Sequence, residues 1–168
     1  LGKSFDNIKI TDRNKALKIF KNSVFLLNRI AKKKNIKLLI ENNVITKENL
    51  KKFKTNPLLL TNPKEITDFF KITPNGVGFL LDVAHLKVSS NTEGFSLSKS
   101  FNKLNNIVMG YHLSDNNSLV DNNQAITSKT WFFKYLKKDL DYYTIEVYNN
   151  SVSNLKQQQI LVEKFLNN

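Results

Sequence analysis

"GFLLDVAHLKV", residues 78–88, decides how the chain is read. An unbroken apolar run leads into Asp82, and His85 follows three residues later. Continuous rather than alternating apolar residues mark a strand buried on both faces, the kind found in parallel sheets. A charged group inside a core is costly unless it is paired or holds a metal. The stretch therefore predicts a parallel strand, "VGFLLDVAH", that ends on chemically active residues.

The flanking sequence repeats the pattern. Upstream, Leu17, Phe20, Val24, Leu27 and Ala31 recur at helical spacing between Asp12 and Lys34, with Asp12 as N-cap. "IKLLIENN" (36–43) is a short apolar run closing on Glu41. A short helix over 47–53 follows. "NPKEITDFF" (62–70) opens a further helix, with Asn62 as cap and Pro63 at its first position. Downstream, a loop through Gly94 leads to a helix over 97–104, and "NIVMGYHLSDN" (106–116) is a third strand. A long polar loop then precedes a predicted helix opening at Thr130 and Trp131. "YYTIEVYNN" (142–150) is a fourth strand, and a helix over 153–165 closes the chain. A helix followed by four strand–helix repeats predicts a parallel sheet covered by helices in a single domain.

Composition narrows the function classes. The absence of cysteine among the 168 residues excludes a disulfide framework and a thiolate metal site. No apolar stretch reaches membrane-spanning length and no secretory signal pattern is visible, so the expectation is a cytoplasmic protein without a membrane partner. The net charge of +12 comes almost wholly from lysine, the arginines being Arg13 and Arg29 alone. Phosphate and base-edge recognition leans on arginine forks, so a nucleic-acid partner is not expected.

Polar groups stand at the end of each predicted strand: Glu41, then Asp82 and His85, then His112 and Asp115, then Glu146. Both histidines of the chain are among them. Parallel α/β proteins build their sites at the carboxyl ends of strands. Carboxylates and imidazoles converging there make an oxygen- and nitrogen-rich shell for a divalent cation, which would supply the positive charge that the buried Asp82 lacks.

In the order and spacing of "IKLLIENNVITKENL", "NPKEITDFF", "VGFLLDVAHLKVSS", "YHLSDNNSLVDNN" and "WFFKYLKKDLDYYTIEVY", the chain resembles the xylose isomerase-like TIM barrels. That superfamily holds the sugar phosphate isomerases and epimerases and the apurinic endonucleases. The resemblance implies a (β/α)8 barrel of which this chain covers the second half, strands 5–8. It implies metal ligands at Glu41, Asp82, His112 and Glu146, with Glu41 and Glu146 also the catalytic acid/base pair. It implies substrate contact at His85, and the metal would be manganese, with zinc, cobalt or magnesium as alternatives. From their positions beside the strand ends, Asn43, Asp115 and Asp121 are further candidates for substrate contact.

Three departures shape the expectation. In the endonuclease branch an Asp-x-His pair holds a further zinc, and here Asp121 is followed by Asn123, a poor zinc ligand beside imidazole. The ketose 3-epimerases carry a substrate-binding arginine six residues after the metal histidine, where this chain has Ser118. A TIM barrel takes about 250 residues, so a chain of 168 beginning at Leu1 is expected either to lack the N-terminal strands or to self-associate. The functional expectation is a metal-dependent sugar or sugar-phosphate isomerase or epimerase. An endonuclease-like phosphodiesterase and a non-catalytic degenerate barrel are the alternatives.

Overall fold

The sheet forms from the four stretches that the sequence marks as strands. The computed structural model describes residues 10–148 and 150–167. Its four strands are β1 (Leu38–Glu41), β2 (Val77–Asp82), β3 (Val108–Leu113) and β4 (Tyr142–Ile145). They pair in the order β1-β2-β3-β4, every neighbour parallel. Six helices connect and flank them: α1 (Arg13–Lys33), α2 (Lys47–Phe53), α3 (Pro63–Lys71), α4 (Val83–Glu93), α5 (Leu97–Leu104) and α6 (Val152–Asn167).

Consecutive parallel strands joined by right-handed crossovers place their helices on one side of the sheet. The core lies there. Phe79, Leu81, Val108, Tyr111 and Leu113 of the strands meet Val24, Ile66, Phe69, Leu86, Phe101, Leu104 and Val162 of the helices. Alternation along the strands turns Leu39, Glu41, Gly78, Leu80, Asp82, Gly110 and His112 to the other face. None of these belongs to the hydrophobic core. That face is concave enough for Lys37 Nζ, just before β1, to come within 3.9 Å of Asp141 Oδ2, just before β4.

The expected half of a (β/α)8 barrel, strands 5–8, is not borne out: the described residues form a small α/β domain with no barrel. The sheet has four strands and is open, with β1 and β4 as its two edges among the described residues. Parallel strands with intervening helices are common to open sheets and barrels alike. The local pattern predicts only a parallel sheet covered by helices, which is found; the barrel is implied by the resemblance, whose strand–helix motifs do not encode closure.

Local corrections follow similar logic. Leu27 is 49% exposed, and the buried stripe of α1 runs instead through Asn28, whose amide donates to Asn75 O at 3.3 Å. The strand predicted to reach His85 stops at Asp82, and α4 starts at once. The Asp82 carboxylate caps it by accepting the His85 N–H at 2.8 Å, and Gly94 ends it in a left-handed conformation. The helix predicted from Thr130 is only a 3₁₀ turn, Phe133–Tyr135. Side chains take over its backbone bonds: Asn105 donates to Tyr135 O at 2.6 Å, Tyr111 Oη accepts from Lys137 N at 3.2 Å, and Tyr143 Oη donates to Lys137 O at 2.8 Å.

Gly110 marks a close approach on the concave face. A Cβ there would lie 3.0 Å from Tyr142 Cβ and 3.2 Å from both Tyr142 O and Leu80 Cδ1. Backbone on a paired strand yields less readily than a side-chain tip. Gly110→Ala is expected to destabilise the protein by about 1–3 kcal/mol, the usual cost of overpacking. Urea unfolding measures this, and an unchanged midpoint would show that β4 moves freely away from β3.

Candidate metal centre

Strand register assembles the site. Glu41 stands opposite Leu80, Asp82 opposite His112, and His112 opposite Thr144. With a side-chain period of two, Glu41, Asp82, His112 and Glu146 all turn to the concave face at the carboxyl end of the sheet. Glu146 follows β4, and its N–H donates to Leu113 O at 3.0 Å, which extends the pairing far enough to orient it.

These four residues form one group that could hold a metal ion, one ligand atom from each lying within 4.8 Å of all the others. His112 Nδ1 is 2.9 Å from Glu146 Oε2 and 3.3 Å from Glu41 Oε1. It makes no aligned hydrogen bond to either, and Asp82 Oδ2 is likewise buried without a partner. Buried polar atoms are nearly always satisfied, so two orphans facing one point fit a cation between them. Three carboxylates and an imidazole are a donor set suited to Mg²⁺, Mn²⁺, Co²⁺ or Zn²⁺.

The electrostatics agree. Burial pushes the Asp82 carboxyl up to about 7, against the pull of the nearby His85. Burial also raises Glu41, but His112 and His85 beside it overcome that and leave it below its ordinary value. The Glu41 carboxylate, followed by Glu146 and Asp82, raises His112. Burial pulls down the His85 imidazolium, yet Asp121, Asp82 and the Asn42 carbonyl outweigh it and bring His85 to about 9.

The residues expected to touch substrate divide. His85, on the first turn of α4, lies at the edge of the group. Its Nε2 is 3.1 Å from Asp121 Oδ2 and 3.7 Å from Asp82 Oδ2, and its Nδ1 is 2.8 Å from Asn42 O. The structure thus brings His85 and Asp121 to the site. Asp115 is turned elsewhere. Its carboxylate pairs with Lys87 Nζ at 2.6 Å, and its backbone closes the loop by a two-way bridge to Gln124. Asn43 is exposed, and its amide oxygen accepts from Val44 N at 3.3 Å.

Two residues near the site were not singled out by sequence reasoning for the roles seen here. Asn42 is 2% exposed and bonded to Asp82. Tyr148 is 55% exposed, with its hydroxyl 3.5 Å from Glu146 Oε1 and its N–H donating to Asn123 O at 3.0 Å. The signal for Asn42 was present, since a polar residue directly after a buried strand must have its amide satisfied. Tyr148 gave none, because its position depends on how the 114–130 loop folds back.

No protein-family model and no curated protein matches the chain. A solved structure similar to it is that of the TTHB071 protein from Thermus thermophilus, described as soaked with ZnCl2. The TM-score is 0.54 at 18% sequence identity, and the match covers 94% of this chain. At that identity the likeness concerns fold alone. The chain spans 59% of that protein's length. No helix among the described residues is long and apolar enough to cross a membrane.

Proposed function

We propose that the chain carries the metal centre of a sugar or sugar-phosphate isomerase or epimerase of the xylose isomerase-like kind. The observation that supports this best is the approach of two carboxylates, Glu41 and Glu146, to His112 Nδ1 from the two edge strands. Their side chains are 35% and 34% exposed, open enough to meet a ligand, while Asp82 is sealed at 1%. Two accessible carboxylates beside one polar centre are the minimum for taking a proton from one side of a carbon and returning it from the other.

A bound divalent cation would polarise a carbonyl and its neighbouring hydroxyl and so acidify the C–H between them. Manganese is the reading we favour for the ion, with cobalt and magnesium also suited to the donor set. Zinc also suits a site of carboxylates and imidazole. His112 and His85 hold Glu41 below its ordinary pKa, which keeps it in the carboxylate form that a metal ligand or base must have. His85 and Asp121 line the edge of the site, where hydroxyl groups of a sugar would find both a donor and acceptors.

Deuterium exchange tests the reading. The protein in D2O with Mn²⁺ and a panel of aldoses, ketoses and their phosphates should exchange a carbon-bound proton, followed by NMR. Glu146→Gln should slow exchange by at least about 100-fold. Undiminished exchange in that variant removes Glu146 from the chemistry, and a metal-loaded protein that exchanges nothing overturns the isomerase reading. The +12 charge keeps a metal-dependent phosphodiesterase as the second reading, for which salt-sensitive cleavage of abasic duplex DNA is the sign.

A further inference from the structure

We propose that Asn42 is a positioning residue for the metal centre: its side-chain amide holds the backbone of Asp82, and its carbonyl holds the ring of His85. The inference rests on the metal-binding reading of Glu41, Asp82, His112 and Glu146, and on no particular reaction.

Asn42 follows β1 directly and is 2% exposed, so it does not meet a ligand itself. Pairing between β1 and β2 ends at Glu41 opposite Leu80. Asp82 lies two residues further on and has no backbone partner on the β1 side. Asn42 fills that gap. Its Oδ1 accepts the Asp82 N–H at 2.8 Å, and its Nδ2 donates to Asp82 O at 3.1 Å. A primary amide offers a donor and an acceptor side by side, as a peptide does, so it extends the ladder by one rung. Without it, the Asp82 N–H would be buried and unpaired, while the Asp82 carbonyl would keep only the first bond of α4.

The Asn42 backbone carries the second contact. Its carbonyl lies 2.8 Å from His85 Nδ1. A carbonyl can only accept, so Nδ1 bears the hydrogen and Nε2 is the atom turned toward Asp121 and Asp82. Asn42 is also bonded covalently to Glu41. One buried residue therefore ties the Asp82 and Glu41 ligand positions together through its side chain and sets the ring beside them through its backbone carbonyl. Partners of this kind, standing behind the ligands, typically tune metal affinity more than fold.

The test titrates the full chain with Mn²⁺ alone, and then Zn²⁺ alone, by calorimetry, alongside thermal unfolding of the metal-free protein. Asn42→Ala is expected to weaken metal binding by about 10–100-fold. Asn28→Ala is the control for losing a buried asparagine. Asn28 is 4% exposed and bonded to Asn75 O, beyond the opposite end of β2. It should lower the melting temperature without changing affinity. Unchanged affinity in Asn42→Ala, or an equal loss in Asn28→Ala, overturns the proposal. If Asn42→Ala does not fold, Asn42→Ser takes its place, with an expected loss of at least about fivefold, and unchanged affinity there is equally fatal. A wild-type chain that binds neither ion removes the metal reading and this proposal together, whereas binding that is insensitive to Asn42 removes the proposal alone.

Discussion

Asp82→Asn is expected to remove divalent-metal binding and, in the same protein, to stabilise the metal-free fold. The two effects have opposite signs because the fold uses only the cap oxygen of Asp82, whereas its charge would serve a cation. The residue is fully buried, and its Oδ2 has no hydrogen-bond partner, with His85 Nε2 the nearest cation at 3.7 Å. Asparagine keeps the structural duty, since its Oδ1 can still accept the His85 N–H as the cap of α4. It discards the buried charge. His85 retains Asp121 as its closer partner at 3.1 Å.

The pH dependence follows from the direction of the shift. Burial raises the Asp82 carboxyl from 3.8 to about 7, so the folded chain holds a proton there that the unfolded chain has released. Stability from this group is complete below the unfolded pKa and is lost as pH rises from about 4 through about 7. At pH 8 the variant should be more stable than wild type by about 1–3 kcal/mol, the cost of an unsatisfied buried polar group. At pH 4 the gap should close. Urea unfolding with a chelator present checks both points. Loss of a direct ligand should weaken metal binding by more than about 100-fold. Equal stability at pH 8 would mean that Asp82 is satisfied in the fold without a metal.

The second large effect is metal-linked stabilisation of the wild-type chain. An ion that binds the folded state alone adds about 2.7 kcal/mol at a hundred times its Kd. For a chain of 168 residues that is a rise in melting temperature of about 5–11 °C. The rise should depend on pH, because protons compete for the same atoms. Asp82 titrates near 7, and His112 is raised by its carboxylate neighbours. The shift should be full at pH 8 and small at pH 5.5, as thermal scans with and without Mn²⁺ would record. A shift of equal size at both values would place the bound ion away from Asp82 and His112.

Much of this architecture was legible in the chain itself. Apolar runs closing on Glu41 and Asp82 gave β1 and β2, and Asn62-Pro63 opened α3 as cap and first residue. The candidate ligands were legible because polar residues at the ends of apolar strands are too costly to place there without purpose. Less legible were the elements that depend on partners. Asp82 ends one element and begins another, so β2 and α4 run together in the one-dimensional pattern. The segment after Thr130 has an apolar, aromatic composition that fits a helix, yet Asn105, Tyr111 and Tyr143 hold its backbone open.

The chain by itself determined its strands, their parallel order and the six polar residues near the strand ends, since these follow from local periodicity and the cost of burying charge; the choice of four ligands among them came from the resemblance. Only the tertiary structure decided that the sheet stays open among the described residues, that Asp115 turns to Lys87 while Asp121 turns to His85, and that Asn42 stands behind Asp82. Each of those depends on contacts between residues far apart in the chain, and periodicity along a sequence carries no record of them.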